Sequence, residues 1–227
     1  MLDHCIWNAL SSCHVSFAEG DELAKRYPPA VTALAAMRDF STESFESLGR
    51  LIVPGEMGIF FLDALPPLPI GWRILREVPL AQMVWSGSAD ADDGPAIEQL
   101  NIADVDEMLA LTELTKPGPF GKRTPELGTY LGIRDRGRLV AMAGERLRLP
   151  GFTEVSAVCT HPSHQGRGLA RQLILAVVRR IVQSGATPFL HVARENKRAI
   201  RVYEDLGFKT RILQTAFALH RESGVQS

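Results

Sequence analysis

The chain has 227 residues, of which 45% are hydrophobic and 22% charged. That balance belongs to a globular protein long enough to bury roughly 70% of its unfolded surface, which excludes chain-wide disorder and any need for covalent staples. A net charge of −1 argues against generic nucleic-acid binding. Three scattered cysteines, Cys5, Cys13 and Cys159, make neither a disulfide framework nor a zinc site, so no metal and a reducing cytoplasmic setting are expected. The longest apolar stretch, residues 58–72, is broken by Asp63 and three prolines, so no membrane span is expected. The N-terminus, with Asp3 and His4 and no basic run, does not read as a secretory signal.

In chain order, helical patches are predicted near residues 22–25, 30–38 and 43–51. Strands are predicted at 58–62 and 82–85, with Pro66, Pro67 and Pro69 forcing an extended loop between them. The small, acidic segment 86–95 reads as a linker between an N-terminal α/β region, 1–85, and a second region, 96–227. After it, residues 97–101 form a short strand. Residues 103–115 have helical spacing through Val105, Met108, Leu109 and Thr112 and stop at Lys116-Pro117-Gly118. Strands at 130–134 and 138–148 flank the turn Asp135-Arg136-Gly137. Residues 153–160 are a strand stopped by His161-Pro162. The stripe Leu169, Leu173, Ile174, Val177, Ile181 marks a helix over 169–183, followed by Gly185. A buried strand at 187–192, a short helix at 196–206 and one or two strands within 208–220 complete a mixed α/β (α+β) order with a strand–loop–helix crossover at its centre.

Charge is unevenly spread. Residues 1–95 hold 6 Lys+Arg against 13 Asp+Glu, and residues 96–227 hold 19 against 13. Ten basic side chains fall between Ser163 and Arg211 with three acidic ones, which suits either an anionic ligand or a solvated helix face. The crossover carries Gln165-Gly166-Arg167-Gly168-Leu169-Ala170. Glycines let the backbone approach a ligand, and the first N–H groups of a helix have no internal partner. The combination makes an anion site suited to a diphosphate, to which Arg167 and Arg171 would add charge-assisted hydrogen bonds. A P-loop is absent, and Arg171 stands where a dinucleotide fingerprint needs a small residue. A lone Gly-x-Gly pair is more often a simple turn.

Three blocks in order sharpen the reading. Gln165-Gly-Arg-Gly168-Leu-Ala170 resembles the Q/R-x-x-G-x-G/A motif of the GNAT superfamily of acetyl-CoA-dependent N-acetyltransferases. Glu154-Val-Ser-Ala-Val-Cys-Thr-His-Pro162 resembles that family's central strand, and the run from Asn196 to Phe208 its following helix. The resemblance covers roughly residues 96–220 and leaves the first 95 outside the motifs, where a degenerate, motif-less half of similar type is one reading of 1–85.

It implies a GNAT-like fold and direct attack of a primary amine on the thioester of acetyl-CoA, the co-substrate. It also implies that the pantetheine arm pairs with the backbone of Val158, Cys159 and Thr160, where an N–H of Val158 or Cys159 stabilises the oxyanion. The diphosphate would lie on the N–H groups of Gln165, Gly166, Arg167, Gly168, Leu169 and Ala170, and Asn196 would hydrogen-bond the pantetheine arm. Glu154 stands where some members carry the general base, on a face shared with Ser156 and Val158 by the period of two; its other reading is a half-exposed carboxylate in a salt bridge. Tyr203 stands at the general-acid position; its other reading is a packed aromatic beside Ile200 and Leu206. His161 and His164 are alternative proton acceptors, Cys159 is weighed as a nucleophile and as a small buried residue, and His191 reads as structural. Trp72, Trp85 and Phe120 could line a pocket or belong to the core. The expected acceptor is a small-molecule or peptide amine, with no nucleic-acid or membrane partner, and a homodimer is one option for assembly. The alternative reading is a non-catalytic coenzyme A-binding sensor or interaction module.

Overall fold

The computed structural model describes residues 1–88 and 97–222. Its elements in chain order are α1 (Cys5–Leu10), β1 (Glu19–Gly20), β2 (Ala24–Arg26), β3 (Ala35–Met37), α2 (Thr42–Leu51), β4 (Met57–Leu62) and β5 (Trp72–Trp85). They continue with β6 (Glu98–Gln99), α3 (Val105–Thr115), β7 (Tyr130–Asp135), β8 (Arg138–Leu149), β9 (Phe152–Thr160), α4 (Leu169–Gln183), β10 (Thr187–Ala193), α5 (Lys197–Asp205) and β11 (Phe208–Arg221). Most of the linker expected at 86–95 lies outside the described residues.

Strands β1, β2 and β3 form a small antiparallel sheet, and the other eight form one large sheet in the order β4-β11-β5-β10-β9-β8-β7-β6. Every neighbouring pair in the large sheet is antiparallel except β9 with β10. The crossover between those two parallel strands is α4. Strand β5 comes from the N-terminal region yet lies between β10 and β11, pairing with β10 over five residues and with β11 over almost its whole length. The sheet that holds the crossover therefore also holds β4 and β5.

Two predicted helices are strands instead. At 22–25 the Asp21 carboxylate accepts from the N–H groups of Leu23 and Ala24, a turn that launches β2. At 30–38 the Ala-rich stretch favours helix locally, but residues 35–37 pair antiparallel with β2, Leu34 bridges Ile59 and Ala33 accepts from the Ile59 N–H, so strand pairing overrides propensity. Helix α2 forms as expected, capped by Ser41 Oγ accepting from the Ser44 N–H at 3.2 Å. Strand β5 begins ten residues earlier than predicted, because its partner β11 is distant in sequence and invisible to local pattern. Helix α1 carries no strong local signal.

One sheet face is covered by α4 and α5. Leu173, Ile174, Val177, Val178 and Ile181 of α4 are all buried against Ala81, Val140, Ala143, Val155 and Leu190. Each such side chain contributes about 1.5–3 kcal/mol of hydrophobic stabilisation. The opposite face carries α3, packed through Met108 and Leu111 on Met142, Ala157 and Cys159, and α1, packed on Phe61, Leu80, Leu147 and Phe189. No described helix is long and apolar enough to cross a membrane.

Candidate active site

The site begins where β9 and β10 part. Their parallel pairing runs through Thr187–Phe152, Pro188–Thr153 and Phe189–Glu154 and ends there. Past that point β10 stays bonded to β5 and β9 stays bonded to β8. The facing backbone edges of residues 155–160 and 190–193 are left without strand partners, which opens a cleft inside the sheet. The side-chain oxygen Oγ1 of Thr160, at the end of this open edge, is buried with no hydrogen-bond partner among the described residues. A β-bulge sits in the same stretch: Ala157 has φ 51°, and the register against β8 skips there.

Immediately downstream is the glycine loop. Gly166 and Gly168 have φ of 79° and 78°, a backbone that L side chains rarely adopt, and a Cβ at either would meet nothing within 4 Å. Gly168 is the N-cap of the 15-residue helix α4, and no side chain caps that end. The first-turn N–H groups therefore face open space with the positive end of the helix dipole behind them. Arg167 and Arg171 are exposed there and enter no salt bridge among the described residues. Arg198 of α5 reaches the Gln165 Oε1 at 3.5 Å, which brings α5 beside the loop. Asn196 caps α5 by accepting from the Ala199 N–H at 3.1 Å, which occupies its oxygen and leaves its Nδ2 to donate. The donor set, the open cradle and the orphaned hydroxyl fit a diphosphate joined to an extended amide-bearing arm.

Tyr203 lies on α5, buried among the residues under α4, with its ring edge-on to Phe208 at 5.8 Å. Burial pushes its phenol up to about 12, so it is a protonated donor at any ordinary pH.

Glu154 is the residue whose surroundings differ most from expectation. It is fully buried, and its two oxygens accept from Arg146 Nε and Nη2 at 2.8 and 2.7 Å. Oε1 also accepts from His191 Nδ1 at 2.7 Å. Burial alone would push this carboxyl up; Arg146 and His191 more than offset it and hold it at about 2. A carboxylate so held neither takes a proton near neutrality nor meets a substrate, so the general-base expectation is corrected, as is the picture of a half-exposed residue. The face shared with Val158 is corrected too. The Ala157 bulge inverts the alternation, so Val158 joins Val155 on the α4 side while Ala157 and Cys159 face α3.

Residues 130–218 match the family described as FR47-like protein. A solved GNAT-family protein from Novosphingobium aromaticivorans superposes with a TM-score of 0.91 and 37% identity, over 98% of this chain and 99% of that one. The chain belongs to the GNAT family of acetyltransferases. A GCN5-related N-acetyltransferase from Kribbella flavida shares the fold, with a TM-score of 0.62 and 19% identity over 99% of this chain and 98% of that one. Among curated relatives, the mycothiol acetyltransferase of Mycobacterium leprae (strain Br4923) is 42% identical over 78 residues, 32% of this chain and 25% of that protein. The N-alpha-acetyltransferase RimI of Mycobacterium tuberculosis is 33% identical over 107 residues, 42% of this chain and 66% of that protein. The chain thus spans about a quarter of the mycothiol acetyltransferase it matches.

On the GNAT scaffold, the predicted residues separate into groups. Val158, Cys159 and Thr160 line the open edge of β9; Gln165 to Arg171 form the loop and first turn of α4; Asn196 and Tyr203 belong to the adjoining α5 segment. The Cys159 thiol is buried and pushed up to about 11 by that burial, which removes it as a nucleophile. His161 and His164 share Ser163, and His164 Nε2 lies 2.9 Å from Asp135. The three aromatics do not make one pocket: Trp72 packs near Phe45, Trp85 donates to the Leu206 carbonyl, and Phe120 meets Tyr130 edge-on. Sequence reasoning missed Arg146 and Gln82, which join Glu154 and His191 in one buried network. The available signal was the charged run Glu145-Arg146 following the apolar stretch Leu139–Ala143 of the strand predicted at 138–148.

Proposed function

We propose that the protein is an N-acetyltransferase that moves the acetyl group of acetyl-CoA to a primary amine by direct attack. The observation that carries this reading is the unpaired edge of β9 beyond Glu154 leading straight into the uncapped, glycine-lined start of α4. The two features suit the two ends of one ligand: amide hydrogen bonding for the pantetheine arm and N–H groups with Arg167 and Arg171 for the diphosphate. Asn196 Nδ2 is free to reach the arm. The amine attacks the thioester carbonyl, an N–H of Val158 or Cys159 stabilises the developing oxyanion, and Tyr203 protonates the departing thiolate. Glu154 takes no proton in this scheme.

The acceptor class is drawn from two relatives: one is named for mycothiol, the other for N-alpha acetylation. The strongly acidic N-terminal region supports a cationic amine. Thiol release measured with acetyl-CoA and a panel of amino sugars, amino acids, peptide N-termini and polyamines tests the proposal. Acceptor-dependent release of free thiol is the expected result. Tight binding of coenzyme A with no release for any amine overturns catalysis in favour of a binding module, which no structural observation favours at present.

A further inference from the structure

The buried network around Glu154 lies at the apex of the cleft. Phe189–Glu154 is the last backbone pair between β9 and β10. Two residues on, His191 leans back across the gap and donates from Nδ1 to Glu154 Oε1 at 2.7 Å. Arg146, on β8, grips the same carboxylate with two hydrogen bonds. On the other side His191 Nε2 lies 3.1 Å from the Gln82 side-chain nitrogen, on β5. The orientation of that amide follows from its other partners: Arg211 donates to its oxygen at 2.8 Å, and its nitrogen donates to the Leu2 carbonyl at 3.0 Å. Gln82 therefore donates to His191 Nε2, which leaves the imidazole proton on Nδ1, aimed at Glu154. Asp3 holds Arg211 at 2.6 Å and ties the first residues of the chain into the same row.

Side chains of five consecutive strands, β8, β9, β10, β5 and β11, thus form one hydrogen-bonded line across the sheet. The proposed chemistry uses none of these groups. A buried ion pair adds little stability over apolar packing, so stability alone gives little reason for it. Its place does: no backbone hydrogen bond joins β9 to β10 beyond Glu154, and His191–Glu154 is the cross-link at that point.

We propose that the His191–Glu154 hydrogen bond, held by Arg146 and Gln82, is a clasp that sets the opening between β9 and β10, making His191 and Glu154 positioning residues for the acetyl thioester. The inference rests on the reading that the thioester lies in that opening. The clasp acts through the β9 backbone: a shift of that edge moves the N–H that serves the oxyanion, that of Val158 or Cys159, out of place, and a misplacement of 1 Å can lower turnover about 10²-fold. The diphosphate end is anchored separately, on the α4 loop.

The test compares His191→Leu, which fills the space without a donor, with His191→Asn, whose amide nitrogen replaces Nδ1–H. The measurements are kcat and KM for acetyl-CoA, coenzyme A affinity by calorimetry, and Tm. His191→Leu is expected to bind coenzyme A with nearly native affinity and to lose about 10²-fold in kcat. His191→Asn is expected to recover most of that loss. Unchanged kcat in His191→Leu overturns the clasp, and so does a kcat loss that Asn does not relieve or that follows affinity and Tm downward in parallel. Should His191→Leu fail to fold, Gln82→Met carries the same test, because it frees the imidazole tautomer from outside the ion pair. There a kcat loss with native coenzyme A affinity supports the clasp, and native kcat overturns it. Failure of the native protein to bind coenzyme A would instead sink the functional reading.

Discussion

Replacing Arg146 with Met leaves the Glu154 carboxylate buried without its cation. The native pair has side-chain exposures of only 8% and 1%, so water cannot take over. Breaking a pair of this kind by removing one partner costs about 3–5 kcal/mol. Proton linkage gives a similar size. Glu154 sits at about 2 against an ordinary value of 4.5, a stabilisation of about 3 kcal/mol at neutral pH. For a chain of this length that corresponds to a Tm lower by roughly 6–20 °C. The pH dependence supplies the sharper check. In the native protein the depressed carboxyl contributes stability that is complete above about pH 4.5 and lost as pH falls toward 2. Without Arg146, burial dominates and raises the carboxyl, so the same group stabilises below its unfolded pKa and loses that contribution as pH rises. His191 also faces the carboxylate and keeps its hydrogen bond to it in the variant. The Tm gap between native protein and Arg146→Met, followed by calorimetry or circular dichroism, is therefore widest near pH 7–8 and narrows toward pH 4–5. The double variant Arg146→Met/Glu154→Leu recovers much of the loss, because no unpaired charge remains. A gap that is flat with pH, or smaller than about 2 °C, would refute the reading of Glu154 as a buried, ion-paired anion.

Gly168→Val places a β-branched residue at φ 78° beside the proposed diphosphate; with open space around the new side chain the fold persists, while coenzyme A affinity measured by calorimetry falls at least about tenfold, the equivalent of one lost hydrogen bond. Unchanged affinity moves the diphosphate elsewhere. Tyr203→Phe lowers kcat about 10²-fold with coenzyme A affinity unaltered, and in the native enzyme the rate shows no alkaline limb from Tyr203 below pH 10, since burial holds its phenol at about 12. A native rate for the Phe variant returns Tyr203 to a packing role. Ser41→Ala removes the cap of α2 at about 1 kcal/mol, a Tm lower by about 2–4 °C with turnover unaffected, because that helix packs away from the cleft.

The second half of the molecule was legible residue by residue because its signals are local. An apolar stripe of period 3.6, closed by Gly185, specifies α4 wherever the chain packs, and two glycines at a helix start specify an exposed backbone cradle. Those features need only neighbours a few positions away, and they placed the glycine loop, the crossover and α5 correctly. What local pattern could not carry was decided by contacts between distant segments. Residues 30–38 are Ala-rich and helical by propensity, yet pairing with β2 makes residues 35–37 a strand and Leu34 bridges Ile59. The length of β5 depends on β11, more than a hundred residues away, and so does its place beside β10. The state of Glu154 is the clearest case. A carboxylate on a strand is a base or a buried anion according to what lies across the sheet; Arg146 and His191 reach it from two other strands, and Gln82 holds His191 from a third. One bulge at Ala157 then reverses which face the following residues present. Pattern along the chain dictated which elements form, while the charge, burial and direction of the side chains at the cleft awaited the folded sheet, because electrostatic environment is set by proximity in space and not by proximity in sequence.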